Sequence, residues 1–469
     1  MIRKIFPSLA ITTVLLTGCT MIPKYTRPEA PIPATWPDGP AYGKASDAQG
    51  APPAPDLYWR EFFTDERLQK VIETALQNNR DLRVAVLNVE RARALYRIQR
   101  AELLPVVDTA AVGIKERLPA DISGTGRSRT VEQYSVDVGI TSWEIDFFGR
   151  IRSLERSAIE EYFATEQGRL SAQILLISEV ASAYLTLAAD RENIQLAQST
   201  LEAQQASYNL IRRRFEVGLA PELDLRQVQT RVDAARVDVA RFTQLAAQDE
   251  NALNLLVGSP VPDDLLPVAL SAVGPLPDIA AGTSSEVLLR RPDILQAENL
   301  LRAANANIGA ARAALFPRIS LTTAIGTASD DLTGLFKSGS HAWTFAPQAV
   351  LPIFDPRTWS ALRVTRVDRE IAIAQYERAI QEAFRDVADA LAGRGTLGDQ
   401  IEAQQSLVEA AGEAYRLSNA RYEKGTDTYL NVLDAQRSLY GAQQGLITVR
   451  LATLANQVRL YAVLGGGKE

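Results

Sequence analysis

The chain contains one pattern twice, and this internal duplication limits the folds that are open to it. Residues 208–258 align without a gap to residues 415–465, and apolar residues recur in both copies at steps of three and four. The matched positions of the first copy are Tyr208, Arg214, Phe215, Glu216, Gly218, Leu223, Gln229, Leu253 and Gly258, and those of the second are Tyr415, Arg421, Tyr422, Glu423, Gly425, Leu430, Gln436, Leu460 and Gly465. This spacing is typical of long helices that pack as coiled coils. The sequence therefore predicts a duplicated coiled-coil scaffold.

The N-terminus has the features of an export signal that ends in a lipid attachment site. Positive charge precedes an apolar run that is too short to span a bilayer, and small residues lead into Cys19. We expect residues 1–18 to be removed and Cys19 to carry an S-diacylglycerol group and an N-acyl chain, which would hold it to a membrane. Thr20, in place of an aspartate, favours the outer membrane. The alternative is an ordinary signal peptide with a chance cysteine.

Composition argues against several classes of function. The net charge of −6 is not typical of a nucleic-acid-binding protein. His341 is the only histidine and Cys19 the only cysteine, which makes a zinc site of Cys or His ligands improbable. The sequence shows no nucleophile–base pair and no phosphate-binding glycine loop. We therefore expect neither an enzyme nor a cofactor, apart from the covalent lipid.

Proline positions divide the chain into a tether and two repeats. Residues 19–57 contain nine prolines and are predicted to be an extended, lipidated tether. The repeats are expected at 58–265 and 285–464, joined by a linker at 266–284 and followed by a tail at 465–469. In each repeat the first helix is predicted to end before a proline, over Glu66–Leu104 and over Ser285–Phe316.

After each of these prolines the apolar period changes from helical to alternating. Strands are predicted at 106–118, 131–145, 318–329 and 342–353, separated by polar loops. Each is long enough to cross a bilayer as a tilted strand. The alternative is a half-buried hairpin of a soluble domain. Four strands cannot close a barrel, and open edges in lipid are costly, so membrane strands would require several chains to share one barrel.

The helical segments that follow the strands are very long. No proline interrupts residues 149–217, yet we expect a break near Asp190–Asn193 and two helices stacked nearly end to end. The apolar stretch at 170–189 is interpreted as a buried helix and not as a membrane span, because polar residues interrupt it.

These features together resemble a known family. The duplicated unit, the site at Cys19 and the motifs at 214–218, 421–425, 433–437 and 464–467 are similar to those of the TolC-like outer-membrane efflux factors, in particular the acylated OprM-type (NodT) lipoprotein branch. The resemblance implies a mostly α protein with a membrane β-barrel portion. Three chains would form a twelve-stranded β-barrel and a long α-helical coiled-coil barrel.

The same resemblance implies a function and partners. The chain would be the exit duct of a tripartite efflux system in the bacterial outer membrane, lipid-anchored, with a periplasmic helical extension. It would passively conduct drugs or other small molecules. Its partners would be a periplasmic adaptor and an inner-membrane pump, often of the resistance-nodulation-division type.

The resemblance also assigns roles at the turns between paired helices, where the periplasmic end would be gated. Leu430 and Asp434 match a constricting leucine and aspartate, and Asn431 falls where some relatives carry a second aspartate. Asp224 and Tyr422 match a pair that bonds helices across the closed tip. The alternatives are seam packing for Leu430 and a solvated helix position for Asp434. Asp427 falls where a relative has an arginine, which makes a latch that uses that cation doubtful.

Three other functions are compatible with parts of the pattern. A periplasmic adaptor is also a coiled-coil lipoprotein, but it carries one hairpin and no bilayer-length strands. A structural coiled-coil lipoprotein would lack the alternating strands. A membrane-anchored enzyme would need a catalytic site, and the sequence offers no candidate.

Overall fold

The computed structural model describes residues 20–42, 54–280, 282 and 284–467, so the predicted signal peptide and Cys19 lie outside the described part. The chain divides into two compact units. The first comprises the described residues within Met1–Glu29, Asn88–Glu166 and Gln296–Tyr376. The second comprises those within Ala30–Leu87, Gln167–Leu295 and Glu377–Glu469.

Helices account for most of the described residues. The α-helices of this part are α1 (Trp59–Phe62), α2 (Glu66–Asn78), α3 (Arg80–Ala101), α4 (Arg150–Glu216), α5 (Glu222–Val257), α6 (Pro292–Ala313), α7 (Pro356–Glu423) and α8 (Tyr429–Val463). Short 3-10 helices lie at Ala54–Asp56, Asp263–Leu265, Leu270–Ala272, Ser285–Arg290 and Leu332–Gly334.

The first unit contains one antiparallel sheet of four strands. They are β1 (Val107–Leu118), β2 (Arg129–Glu144), β3 (Arg318–Ser329) and β4 (His341–Val350), in the order β1-β2-β3-β4. The predicted bounds of β3 match residue for residue. The predicted bounds of β1 and β2 differ by one or two residues, and β4 ends three residues earlier than expected. Each repeat supplies one hairpin, and β2 pairs with β3 to join them.

The junction between the hairpins is tightly packed. A Cβ atom on Gly139 would lie 2.4 Å from the carbonyl oxygen of Thr323, and one on Gly326 would lie 2.1 Å from that of Val136. The register also shifts between Ile140 and Trp143, where a β-bulge sharpens the local twist. Two glycines therefore allow the strands of the two repeats to approach closely.

The sheet is open and accessible in one chain. Among the described residues, β1 and β4 each pair with one strand only. Every residue of β1 is exposed except its last, which is partly buried, and β4 is exposed at all positions but one. Apolar side chains on these strands, including Val107, Ile114 and Trp343, are half exposed or more.

The first helix of each repeat differs from the prediction. The segment expected as one helix over Glu66–Leu104 is divided at Asn79. The Asn79 side chain accepts a hydrogen bond from the Leu82 amide at 2.8 Å and donates one to the Leu256 carbonyl at 2.8 Å, so it caps α3 and fixes the turn. The segment expected over Ser285–Phe316 begins as a 3-10 helix, and α6 starts at Pro292. Proline is favoured at a first helical position.

The predicted break near Asp190–Asn193 is wrong, because α4 runs without interruption from Arg150 to Glu216. Neither proline nor a competing cap interrupts its backbone there. By length and composition α4 contains a stretch apolar enough to cross a bilayer, but 56% of that stretch is buried inside the structure. Val180, Ala181 and Tyr184 have no exposed surface, as expected for a core helix.

Aromatic side chains close the core of the second unit. The rings of Phe62 and Tyr461 stack with their centroids 4.1 Å apart. The Tyr461 hydroxyl donates to the Leu57 carbonyl and accepts from the Gly467 amide, both at 2.8 Å. The end of the described chain is therefore held against the body of this unit.

Candidate functional site

Two equivalent helical turns form the candidate site in the second unit. One joins α4 to α5, and the other joins α7 to α8. Gly218 and Gly425 have φ of 78° and 73°, a left-handed conformation that glycine adopts without strain. In the first turn the Leu219 amide donates to the Arg214 carbonyl at 2.7 Å, and in the second Thr426 donates to Arg421 at 3.0 Å. Both turns thus end their helices with a Schellman motif.

An apolar cluster packs the two hairpins against each other behind the turns. Its buried members are Ile211, Leu225, Val228, Tyr429, Val432 and Leu433, with Tyr208, Ala220, Tyr415 and Tyr422 packed around them. The rings of Tyr422 and Tyr429 lie 4.9 Å apart between centroids. The heptad stripes predicted from the sequence thus meet in this cluster.

Tyr422 connects the hairpins through a residue that the sequence did not single out for this role. Its hydroxyl accepts a hydrogen bond from Nη1 of Arg214 at 2.6 Å, and the Arg214 guanidinium also lies 5.5 Å from the Tyr422 ring centre. Asp224 lies in the first turn of α5, where its amide bonds the Pro221 carbonyl. Within one chain Tyr422 is therefore bonded to Arg214, and its pairing with Asp224 stays a prediction.

Leu430 and Asp434 lie one turn apart on α8 and are both accessible. Their exposures are 49% for the Leu430 residue and 51% for the Asp434 side chain. The Asp434 carboxylate lies 3.4 Å from Nη2 of Arg437 and 4.0 Å from Nη2 of Arg231. Since two cations face this one carboxylate, its charge is compensated locally. Within one chain the constricting aspartate predicted from the sequence is therefore bordered by two arginines.

Asn431 braces the second turn and does not replace the missing aspartate. Its side-chain amide donates to Oδ1 of Asp427 at 2.6 Å, and Nε of Arg421 lies 3.2 Å from Oδ2 of the same carboxylate. The Thr428 amide, the Asn431 side chain and the Arg421 charge hold the pKa of Asp427 below its ordinary value. Asp427 therefore remains ionised and fastens its own turn.

The arrangement offers no chemistry for catalysis or metal binding. Across the described residues, no group of three or more His, Cys, Asp or Glu side chains could hold a metal ion. The sequence did not predict the side-chain contacts of three residues near the turns, namely Arg214, Arg231 and Asp427. The signal available for Arg214 was its alignment with Arg421, but alignment does not indicate which partner each arginine selects.

Comparison with known proteins decides the family. The model of the outer membrane efflux protein family matches residues 71–259 and 283–466. The chain belongs to the outer membrane efflux protein family. The family model matches the chain in two separate segments, so the duplication is a property of the family.

Curated and solved members resemble this outer membrane efflux protein over nearly its whole length. The toluene efflux pump outer membrane protein TtgC of Pseudomonas putida is 48% identical, with 98% of this chain and 95% of the relative covered. The outer membrane protein OprJ of Pseudomonas aeruginosa is 41% identical over 98% of this chain and 95% of its own length. The open state of the Neisseria gonorrhoeae MtrE outer membrane channel has a TM-score of 0.86 and 38% identity, with coverage of 96% and 98%.

This family assignment confirms several expectations. The protein is an outer-membrane efflux channel with a TolC-like fold, and it is not an enzyme. It is an outer-membrane component of an efflux pump system.

Proposed function

We propose that this protein is the passive exit duct of a tripartite efflux system, gated at the helical tips. It receives drugs or other small molecules from a periplasmic adaptor and an inner-membrane pump of the resistance-nodulation-division type. The observation that carries the proposal is an open, bilayer-length sheet in a chain that also has helices of 67 and 68 residues. At about 1.5 Å per residue such helices are about 100 Å long, enough to reach far into the periplasm.

The duct is a homotrimer. One chain leaves the outer edges of β1 and β4 without a strand partner among the described residues, and unpaired backbone groups are costly in lipid. Pairing β1 of one copy with β4 of the next satisfies both edges. Three copies supply twelve strands, an even number within the range of closed bacterial barrels.

Cys19 carries the acyl chains that anchor the mature N-terminus to the outer membrane. The support is the sequence before Cys19 and the exposure of Thr20, the first described residue. The strands of the chain already insert into the membrane, so the lipid is a second attachment to it. Replacement of Cys19 by serine with retained efflux would show that lipidation is dispensable.

The helical tips, which are the turns at Gly218 and Gly425, form both the gate and the surface that contacts the adaptor. Val217, Leu219 and Leu223 surround the first turn and are 65–70% exposed, an apolar surface suited to a partner helix. Leu430 narrows the passage, while Asp434 and its two arginines set the charge of the constriction. Opening requires the hairpins to separate at the Arg214–Tyr422 contact.

The cargo follows from relatives that are described by their substrates. Similar proteins are named as toluene, solvent and antibiotic efflux pump outer membrane proteins. Apolar organic molecules and antibiotics are therefore the substrates to test first. We assign selectivity among them to the pump.

Conductance through planar lipid bilayers tests the duct. Purified protein should form channels and migrate on gels as a heat-dissociable trimer. In the same recordings Asp434→Asn should shift the reversal potential towards anion preference, since it removes the only carboxylate between two arginines. Asp224→Ala with Tyr422→Phe should raise the conductance. A purified chain that stays monomeric without detergent and conducts no ions would overturn the proposal.

Disulfide trapping tests barrel closure separately. In a Cys19→Ser background, Ala110→Cys on β1 is combined in turn with Ala342→Cys, Thr344→Cys or Ala346→Cys on β4, which lie on the same face of the sheet as Ala110. One register should give disulfide-linked trimers. The matched control places the second cysteine at Asp137, which pairs with Ala110 inside one chain, and should give no link between chains.

A further inference from the structure

The segment Thr20–Glu29, here called the strap, is bound along helices of the first unit. Two side chains of α6 donate hydrogen bonds to its backbone: Nδ2 of Asn305 donates to the Pro23 carbonyl at 2.9 Å, and Nη1 of Arg312 donates to the Met21 carbonyl at 3.3 Å. Backbone carbonyls of an extended segment are the acceptors that proline-rich chains leave free. The strap is therefore recognised as a peptide, in addition to being tethered covalently.

A glycine makes room for the strap beside α6. A Cβ atom on Gly309 would lie 2.7 Å from Cγ1 of Ile22 and 2.9 Å from its amide nitrogen. The same atom would lie 2.6 Å from Oγ of Ser153 on α4. Ile22 therefore occupies a groove whose depth depends on the missing side chain.

Glu298 is the central contact of the strap. Its side chain is only 2% exposed, yet it is ionised and receives three hydrogen-bond donors. Tyr25 donates its hydroxyl at 3.2 Å, Arg27 forms an ion pair with it, and Arg302 of α6 donates at 2.7 Å. Two of these donors come from the strap. Removal of such partners leaves a buried carboxylate with an uncompensated charge, and this strongly destabilises the contact.

The electrostatics of this cluster agree with the geometry. Burial alone would raise the pKa of Glu298, but the hydrogen bonds from Arg27 and Arg302 outweigh it and hold the pKa below its ordinary value. Burial and the Glu298 charge raise the pKa of Tyr25 to about 12, so its hydroxyl remains a donor. The charge that holds the strap thus persists throughout the physiological pH range.

The remainder of the groove is polar. A cavity of about 210 Å³ lies beneath Ile22, Pro23 and Tyr25. Oε2 of Glu160, Nε of Arg302 and Oδ1 of Asn305 face this region and have no protein hydrogen-bond partner among the described residues. Such groups are satisfied by water, so the strap is not sealed down by apolar packing. Its attachment therefore depends on the bonds to Glu298.

The groove also fixes where the N-terminus lies relative to the strands. Ser153 is in the first turn of α4, shortly after β2 ends at Glu144, and Gly309 is in the last turns of α6, shortly before β3 begins at Arg318. Ile22 and Ser153 both lie beside Gly309, each within 3 Å of the place where a Cβ atom of that residue would be. Three residues of extended chain span about 10 Å, which is all the slack between Ile22 and Cys19.

We propose that this groove is a specific binding site for the strap, held by Glu298, which places Thr20 at the level where the strands of the same unit end. This inference rests on the proposed membrane insertion of those strands. Glu298 acts as a positioning residue: the acyl chains on Cys19 enter the leaflet that the barrel already occupies. The strap would hold this position even without the lipid.

Limited trypsin digestion of purified trimers tests the binding site. Lys24 is exposed and is the one tryptic site inside the strap, because Arg27 precedes Pro28. Mass spectrometry measures the cleavage rate of the Lys24–Tyr25 bond. Glu298→Gln should accelerate it at least about tenfold, by loss of the charge that holds Tyr25 and Arg27. Arg27→Gln, which leaves the body of the protein intact, should also accelerate it.

The matched control is Glu73→Gln, which removes the carboxylate of the surface pair with Arg60 and should leave the rate unchanged. Equal rates in the wild type, Glu298→Gln and Arg27→Gln would overturn the proposal. Bilayer conductance is recorded in parallel and should be the same for all of these proteins. Unchanged cleavage with normal conductance refutes the strap site alone, whereas absent conductance refutes the proposed function.

A second measurement tests the position of the strap end. Cys19→Ser combined with Thr20→Cys gives one thiol for a fluorophore in a chain without the lipid. In vesicles with quencher-labelled head groups, fluorescence should be quenched, and adding Glu298→Gln should relieve the quenching. Quenching that is absent from the first protein, or that persists in the second, would refute the placement.

Discussion

Replacement of Gly258 by alanine should destabilise the protein more than the same change at a glycine with the same backbone conformation. Gly258 ends α5 with φ of 77°, and its amide donates to the Asn254 carbonyl at 2.9 Å. A Cβ atom there would lie 2.5 Å from the carbonyl oxygen of Asn78, at the turn between α2 and α3. Gly218 has φ of 78°, and nothing would lie within 4 Å of its Cβ atom.

The two sites separate backbone strain from steric overlap. A left-handed conformation costs a residue with a Cβ atom about 1–2 kcal/mol, which applies equally to both variants. Forcing extra atoms into a packed site costs about 1–3 kcal/mol more, and this applies only at Gly258. We therefore expect Gly218→Ala to lower the free energy of unfolding by about 1–2 kcal/mol and Gly258→Ala by about 2–5 kcal/mol.

Guanidinium unfolding of detergent-solubilised protein, followed by helical circular dichroism, measures the difference. Gly425→Ala is a second control, because φ is 73° there and its surroundings are open. Asparagine tolerates the left-handed region, so Gly218→Asn should recover much of the loss while Gly258→Asn should not. Equal destabilisation at Gly258 and Gly218 would show that the close approach of Asn78 has no energetic consequence.

Three further outcomes follow from the packing and the charges. Gly326→Ala should reduce the yield of heat-resistant trimers on gels more than Gly113→Ala does, since a Cβ atom overlaps backbone at Gly326 but comes no closer than 3.3 Å to a tyrosine ring at Gly113. Burial and the charge of Asp190 raise the pKa of Asp249 from 3.8 to about 6, so the folded state binds this proton more tightly. The contribution of Asp249 to stability should therefore be greatest below about pH 4 and be lost as the pH rises through about 6, and Asp249→Asn should remove this contribution from the curve in denaturation experiments. Asn79→Ala should lower the unfolding free energy by about 1–2 kcal/mol, measured by the same guanidinium titration, because α3 loses its cap.

Strands and repeats were predictable because their signals are local and periodic. Alternation over residues 318–329 gave the bounds of β3 without error, and the duplication is visible in the gapless alignment of residues 208–258 with residues 415–465. The need for several chains was also derivable, since a count of four strands leaves two unpaired edges. These inferences require only the order of the predicted elements along the chain and the spacing of their apolar residues.

Features that depend on tertiary partners were not predictable. Asn79 divides the first helix because its side chain meets Leu256, a residue 177 positions away. The helix α4 continues through Asp190 because polar residues that favour breaks are tolerated where packing supports a helix, as at the buried Asn193. The strap groove depends on Glu298, which looks like an ordinary charge on a helix until Tyr25 and Arg27 fold onto it.

The tips show most clearly what duplication does and does not determine. Arg214 and Arg421 occupy the same position in the two repeats, and the carbonyl of each accepts the same bond from its turn. Their side chains diverge: Arg421 pairs with Asp427 in its own turn, whereas Arg214 reaches Tyr422 of the other repeat. The first turn has no acid at the position of Asp427, so Arg214 is free to cross. The two turns therefore share one backbone conformation, and the carboxylate that is present in only one of them decides which arginine joins the hairpins.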